Sequence, residues 1–442
     1  MRVLQAPDRE LCKNIELQNI ISGMEYRPSQ FVLRFTHKGR EFLFHTMTRE
    51  LLEGVLPERC RAGEGWDSLI ESSFLVPAGT DECAFYQNVS ALMRRCRKKE
   101  MHRLYTILPT SACNARCAYC YGKDFRQAAM TPETVRHTIE YILNSREGGR
   151  VRIKWVGGEP LLCPGIIDEI SLGLREAGVE YKSTMISNGS LVTPGIVRKM
   201  REDWNLKQIQ ISMDGCEADC IARKRYPASQ DAYRSVMEGI NLLTDSGIRV
   251  IVRCNVDEEN WNGIPAFLND LKAVISDRTN VWVYFAPLFQ VRCGKDDLAL
   301  WKKIIAARSA IEEAGFRVKG SLMSESRFRI FHCMADGGNV TINSDGDLYA
   351  CGCLTKSSRF GNVQYGVTDE DARRLFCSVE RVRKKCRHCP FLPECTAFDN
   401  CPYRDTHCRE LREMEDLSVL KRIVEKDGTA ASADDSGILS LR

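Results

Sequence analysis

Three cysteines stand close together in the run Thr110-Ser111-Ala112-Cys113-Asn114-Ala115-Arg116-Cys117-Ala118-Tyr119-Cys120-Tyr121-Gly122, at Cys-x3-Cys-x2-Cys spacing. Three thiolates on so short a loop suit three irons of a [4Fe–4S] cube and leave the fourth iron open to a substrate or cofactor. A zinc site would take its cysteines in Cys-x2–4-Cys pairs and close the shell with two more ligands. The odd triplet therefore points to a cluster at which chemistry can happen. A coincidental cysteine-rich loop and half a zinc site are the bland alternatives.

About 40 residues further on comes Trp155-Val156-Gly157-Gly158-Glu159-Pro160. Paired glycines let a backbone approach a ligand closely, and the adjoining carboxylate can accept a hydrogen bond from an ammonium group. Ser187-Asn188-Gly189 and Ser212-Met213-Asp214-Gly215 each follow a β-rich run, although Asn-Gly and Asp-Gly are also ordinary turn formers. Arg253, in Arg253-Cys254-Asn255, can grip a carboxylate at two points with its planar guanidinium. An ion pair with Asp257 is its other use.

The cysteine spacing, with aromatic Tyr119 just before the third thiol, resembles the signature of the radical S-adenosylmethionine (SAM) superfamily. The resemblance implies that Cys113, Cys117 and Cys120 hold a cluster whose open iron chelates SAM, and that one electron from it yields a 5′-deoxyadenosyl radical. It further implies that Gly157, Gly158 and Glu159 hold the SAM amino group. Tyr119 joins the cofactor site, Ser187, Asn188, Ser212 and Asp214 line the ribose and methionine portions, and Arg253 meets the carboxylate.

Nine cysteines lie between residues 333 and 408, and seven of them are ordered as Cys333-x17-Cys351 and Cys386-x2-Cys389-x5-Cys395-x5-Cys401-x6-Cys408. This resembles the SPASM domain with two auxiliary [4Fe–4S] clusters. The resemblance assigns Cys386, Cys389, Cys395 and Cys408 to one cluster and Cys333, Cys351 and Cys401 to the other. The loop before Cys401 is longer than in the family, and no cysteine lies between Cys333 and Cys351. Cys353 is a candidate fourth ligand; otherwise one iron stays open. Two zinc-ribbon-like sites are the alternative. Cysteines outside these motifs default to small hydrophobes, with Cys220 and Cys254 the two nearest the site.

The elements that must position these groups are strands at 104–108, 151–156, 181–186, 208–213, 250–255 and 281–286, alternating with helices such as 133–144 behind Thr131-Pro132. Glu176-Ala177-Gly178, Asp245-Ser246-Gly247 and Glu313-Ala314-Gly315 each end a helix on glycine before an apolar run. Six such units imply a parallel sheet with right-handed crossovers, and an open (β/α)6 partial TIM barrel fits both the count and the superfamily. Its reactive groups belong at the carboxyl ends of the strands.

The expected domains are a small α+β unit over 1–100, the partial barrel over 101–320, a SPASM domain over 321–415, and a C-terminal helix with a disordered tail over 416–442. In the first, 31–35 and 42–44 form a hairpin about Gly39, with helical runs at 50–56 and 66–76. This pattern is similar to peptide-recognition modules that precede peptide-modifying radical SAM enzymes, and a plain structural cap is equally open. Val340–Ile342 and Asp347–Tyr349 should form a hairpin around Asp345-Gly346.

A net charge of +4 on 63 basic and 59 acidic residues gives no global field for nucleic acid or membrane. Arg94–Lys99 reads as a solvated linker face. The N-terminus lacks a signal-peptide pattern and no long apolar run follows, so a cytoplasmic protein is expected. Its 21 cysteines then suit metal ligation better than disulfides, in a host with little oxygen. The resemblance implies modification of a peptide or protein side chain, most directly maturation of a ribosomally made peptide by a thioether or carbon–carbon crosslink. Flavodoxin or ferredoxin would supply the electron. The alternatives are an anaerobic sulfatase-maturing (formylglycine-generating) enzyme and a non-catalytic iron–sulfur or zinc protein.

Overall fold

The computed structural model describes residues 2–5, 24–97, 103–120, 122–123, 126–146, 151–227, 231–288, 297–318, 339–352, 354, 358–377, 382, 384–394 and 408–430. In chain order the strands are β1 (Arg2–Gln5), β2 (Glu25–Pro28), β3 (Val32–His37), β4 (Arg40–His45), β5 (Leu51–Glu53), β6 (Cys60–Arg61) and β7 (Leu75–Pro77), with helices α1 (Asp67–Glu71) and α2 (Glu82–Arg97). Then follow β8 (Arg103–Ile107), α3 (Pro132–Ser145), β9 (Val151–Trp155), α4 (Pro164–Glu176), β10 (Tyr181–Ser187), α5 (Pro194–Glu202) and β11 (Leu206–Met213). The next are α6 (Glu217–Lys224), α7 (Ala232–Asp245), β12 (Arg249–Val256), α8 (Ile264–Val274), β13 (Val281–Pro287), α9 (Asp297–Ala306), α10 (Arg308–Glu313) and β14 (Arg317–Val318). Last come β15 (Val340–Ile342), β16 (Asp347–Tyr349), β17 (Arg359–Asn362), β18 (Gly366–Val367), α11 (Glu370–Cys377) and α12 (Cys408–Ala430).

Two compact units emerge, one of residues 1–98, 320–332 and 379–442, the other of 99–319 and 333–378. In the second of these β15 pairs in parallel with β8 and carries the hairpin onto the same sheet.

In the second unit β8 to β14 run parallel in consecutive order. The six expected strands are present with ends within about two residues. One face is apolar: Ile153, Ile211, Val252 and Val283 pack with Ile142, Ile170, Met200 and Ile240 of the crossover helices. Thr131 caps α3 by accepting from Thr134 N at 3.1 Å, with Pro132 at the first helical position. The three helix-ending glycines have φ of 66°, 75° and 86°. Each is followed by the same closing bond, Val179 N to Leu174 O, Ile248 N to Leu243 O and Phe316 N to Ile311 O at 2.9–3.1 Å. That is the Schellman stop, which needs a left-handed residue. The expected hairpin at Asp345-Gly346 is β15–β16.

In the first unit β1-β5-β4-β3 form one antiparallel sheet and β6-β2-β7 another. The expected hairpin is β3–β4, turning through Lys38 (φ 49°) and Gly39 (φ 75°), the primed turn that matches strand twist. Two expectations fail here. Residues 50–56 are not helical: Leu51 and Leu52 are buried in β5, between β1 and β4. A central strand covered on both faces reads as an unbroken apolar run and so mimics a helix. The run 66–76 is helical only over α1, after which Ser73 turns with φ 64° into β7.

Helix α12 begins at Cys408 and continues to Ala430, so 426–430, expected as tail, are helical; later residues lie outside those described. Its Val419, Leu420 and Val424 pack with Phe35, Phe42 and Phe44 and with Phe391. Arg94–Arg97 end α2 rather than forming a linker. No described helix is long and apolar enough to cross a membrane.

Candidate functional site

The cysteine loop leaves β8 at Ile107 and is strapped to the chain beyond β9. Gly158 N donates to Thr110 O (3.1 Å) and Glu159 N to Ala112 O (2.8 Å). The glycines are required by this approach: a Cβ on Gly157 would lie 2.2 Å from Thr110 O, and one on Gly158 2.1 Å from Ala112 O. The Gly-Gly pair thus holds the cysteine loop itself against the strand ends.

Cys113, Cys117 and Cys120 are half-buried free thiols. Burial chiefly pushes the Cys113 and Cys117 thiols up; Cys120 raises both further, and Cys113 raises Cys117. Mutually crowded thiols that resist ionisation alone become thiolates when metal binds. Three thiols on one short loop are the donor set that suits a cluster with an open iron.

Around them the expected residues divide. Glu159 is fully buried and already occupied: Oε1 accepts from Leu161 N (3.0 Å) and Ser187 Oγ (2.9 Å), and Oε2 from Asn188 N (2.7 Å). Burial raises its pKa against these bonds. The carboxylate therefore joins the ends of β9 and β10, with Ser187 as one of its donors. Asn188 turns to Asn114 (2.8 Å) and lies 3.9 Å from Cys113 Sγ.

Asp214 is likewise enclosed. It accepts from the Tyr119 hydroxyl and from Asn255 Nδ2 (2.9 Å). Burial, then the Asp214 charge, drives the Tyr119 pKa far up, so the phenol stays a donor. Asp214 thus anchors the cysteine loop to β11 and β12. Asn260 secures the corner, donating to Asp214 O (2.7 Å) and Asn255 O (2.9 Å). Arg253 Nε donates to Asn255 Oδ1 (3.0 Å). Asp257 is instead gripped by Arg223 at 2.6 and 3.1 Å, whose guanidinium sits 5.7 Å from the Tyr119 ring centre.

Ser212 lines a cavity of roughly 190 Å³ with Cys220, Lys224, Tyr226 and Tyr233. Lys224 is the residue that sequence reading missed. It is buried, which alone would lower its pKa, yet Asp214, Tyr226, Cys117 and Cys220 hold it above the ordinary lysine value. Its carbonyl also accepts from Arg116 N (2.8 Å). The adjacent pair Arg223-Lys224, nine residues after Asp214-Gly215, was the available signal, but two cations in a last helical turn read as ordinary dipole complements. Cys220 and Cys254 are buried, and burial chiefly raises both thiols, Cys220 to about 12. They are packing groups.

Of the second cysteine field, Cys351 follows β16, while Cys386 and Cys389 share one turn with Cys389 N donating to Cys386 O (3.1 Å). Cys333, Cys353, Cys395, Cys401 and the Cys408 side chain lie outside the described residues.

Residues 107–271 match the family model for the radical SAM superfamily. The serine-type anaerobic sulfatase-maturating enzyme of Bacteroides thetaiotaomicron is 26% identical over 199 residues, which are 42% of this chain and 47% of that protein. This chain thus spans about half the length of that relative. Among solved structures, native anSMEcpe with bound AdoMet aligns at TM-score 0.57 and 15% identity, over 74% of this chain and 99% of that one. Streptococcus suis SuiB bound to precursor peptide SuiA aligns at TM-score 0.51 and 14% identity, over 84% and 94%. Both speak to the fold alone. With the cysteine loop, its glycine strap and the Asp214 anchor all inside the matched segment, this chain carries the radical SAM domain of that superfamily.

Proposed function

We propose that this chain uses SAM to abstract a hydrogen atom from a side chain of a peptide or protein, most directly in maturing a ribosomally made peptide through a thioether or carbon–carbon crosslink. The carrying observation is the cysteine loop strapped by Gly157 and Gly158 over the strand ends, with Arg253 of β12 and Lys224 of α6 as nearby cations. A [4Fe–4S] cluster on Cys113, Cys117 and Cys120, with SAM, would supply the electron and the 5′-deoxyadenosyl radical. The chain's own groups orient and exclude. Arg253 and Lys224 offer the carboxylate of SAM a positive partner, Ser212 and Asn188 offer it hydrogen bonds, and Glu159 and Asp214 hold the loop in register. The parallel sheet is read as the open (β/α)6 partial barrel. Flavodoxin or ferredoxin remains the proposed electron donor, and the two auxiliary clusters remain proposed on Cys386, Cys389, Cys395 and Cys408 and on Cys333, Cys351 and Cys401, with or without Cys353.

Peptides appear on both solved neighbours, SuiA on SuiB and the Cp18Cys peptide on anSMEcpe, which supports a peptide substrate. The Bacteroides relative favours a second reading, formylglycine formation on a sulfatase. Anaerobic reconstitution followed by assay for 5′-deoxyadenosine tests the common step. The Cys113→Ala/Cys117→Ala/Cys120→Ala variant should lose the cleavage completely while keeping any auxiliary iron. Wild-type cleavage by that variant, or stoichiometric zinc with little iron, would defeat the proposal. Mass spectrometry of a sulfatase peptide then separates formylglycine from a crosslinked product.

A further inference from the structure

The two faces of the parallel sheet differ in charge. None of the strands β8 to β14 contains an aspartate or glutamate. The cross-strand register places Arg152 with Lys182, Lys154 with Thr184, Gln208 with Arg249, and Ser212 with Arg253, while Trp282 pairs with Arg317. Side chains alternate along a strand, and the opposite set, Ile153, Met185, Ile209, Val250 and Val283, is sealed under the helices. These six of the eight cations on the strands therefore stand on the face away from the helices, the lumen of the proposed barrel. Asp214 is the carboxylate at its top, and it is already occupied by Tyr119 and Asn255.

Within this face one arrangement is specific. Arg249 and Arg317 both sit on the Trp282 ring, with guanidinium carbons 4.6 and 4.9 Å from its centre. The two arginines come from the strands on either side of Trp282, so two like charges are held against one indole, a repulsion that a nearby anion offsets. Asp277 feels Arg317, while its Oδ1 accepts from Thr279, at 2.9 Å from N and 2.6 Å from Oγ1. Strand β14 ends the order of the sheet among the described residues, so the clamp borders the open side of the lumen. At about 3.3 Å per residue, Arg249 lies some 13 Å along β12 from Arg253, a span of about four extended peptide residues.

We propose that the Arg249–Trp282–Arg317 clamp docks an acidic side chain of the substrate peptide, so that an aspartate or glutamate a few residues from the modified position sets its reach into the lumen. The inference rests on the peptide reading above. Each planar guanidinium fork suits a carboxylate in paired hydrogen bonds, and the clustered cations steer it there.

The test uses the reconstituted full chain and two fluorescein-labelled decapeptides, alternating Glu-Gly and Gln-Gly, read by anisotropy at low and high salt. The Glu peptide should bind about tenfold more tightly at low salt and lose most of that advantage at high salt. Arg249→Gln and Arg317→Gln should each reduce the preference to about threefold or less, and Arg249→Lys should retain part of it. Iron content and melting temperature identify any variant that fails to fold. Equal binding of the two peptides, or a preference that survives both glutamine variants, overturns the acidic docking site. GTP serves as a non-peptide polyanion: if it binds with the same dependence on Arg249 and Arg317 while the Glu peptide does not bind, the anion site stands and the peptide reading falls.

Discussion

Glu159 beyond β9 and Asp214 beyond β11 are equally buried carboxylates compensated in opposite ways. Glu159 accepts from neutral donors, Leu161 N, Ser187 Oγ and Asn188 N, and Lys224 acts on it only as the last of the causes set against its burial. Asp214 takes a phenol and an amide, and its charge is the first cause holding Lys224 charged against burial. The β9 end is therefore a mechanical clasp. The β11 end is a charged one, and removing a charge there strands its opposite in a low-dielectric setting. At the second end Lys224 is coupled chiefly to Asp214 and also to Cys117 of the cysteine loop.

The largest expected effect follows from that difference. Asp214→Ala should destabilise the protein by about 3–5 kcal/mol, the usual result of leaving one member of a buried charged group unpaired. Adding Lys224→Met should recover part of the loss, because groups in one network are not additive. Urea unfolding of the single and double variants checks this; strict additivity would show that Lys224 and Asp214 do not communicate. Tyr119→Phe comes next, at about 1.5–3 kcal/mol for a lost hydrogen bond to a charged group. It should also loosen the cysteine loop, seen as faster loss of cluster iron to a chelator. An unchanged rate would mean that the glycine strap alone holds the loop.

Much of this was readable before any coordinates. Strand ends and glycine stops in the parallel unit were plain because period-2 alternation, turn glycines and helix caps all agree there. Where they disagree, reading failed: Leu51 and Leu52 face opposite sides of a central strand, so their adjacency carried no period at all. The cysteine loop was legible from spacing alone. The duties of Glu159, Ser187 and Asp214 were not, since a motif names a carboxylate at a strand end without saying whether it faces a ligand or a neighbouring backbone. Lys224 was invisible for a related reason. Its role comes from burial beside Asp214 and Cys117, and burial is a tertiary property.

The smallest expected effect is the sharpest test of the contrast. Glu159→Gln keeps shape and burial but turns one acceptor into a donor facing a backbone N–H or the Ser187 hydroxyl, a mismatch of about 1–3 kcal/mol. Against it stands the removal of a buried charge, whose cost is visible in the raised pKa of Glu159. Because the folded pKa lies above the unfolded one, the native state binds more protons between the two values, and stability must fall as pH rises through that window. Wild type should therefore lose stability relative to Glu159→Gln on going upward from the ordinary carboxyl range near pH 4.3, and the gap should level off above the folded pKa. Melting of SAM-free, reconstituted protein at stepped pH measures it. A difference that grows in the other direction would mean that a cation outweighs burial at Glu159, and would erase the distinction between the two ends of the site.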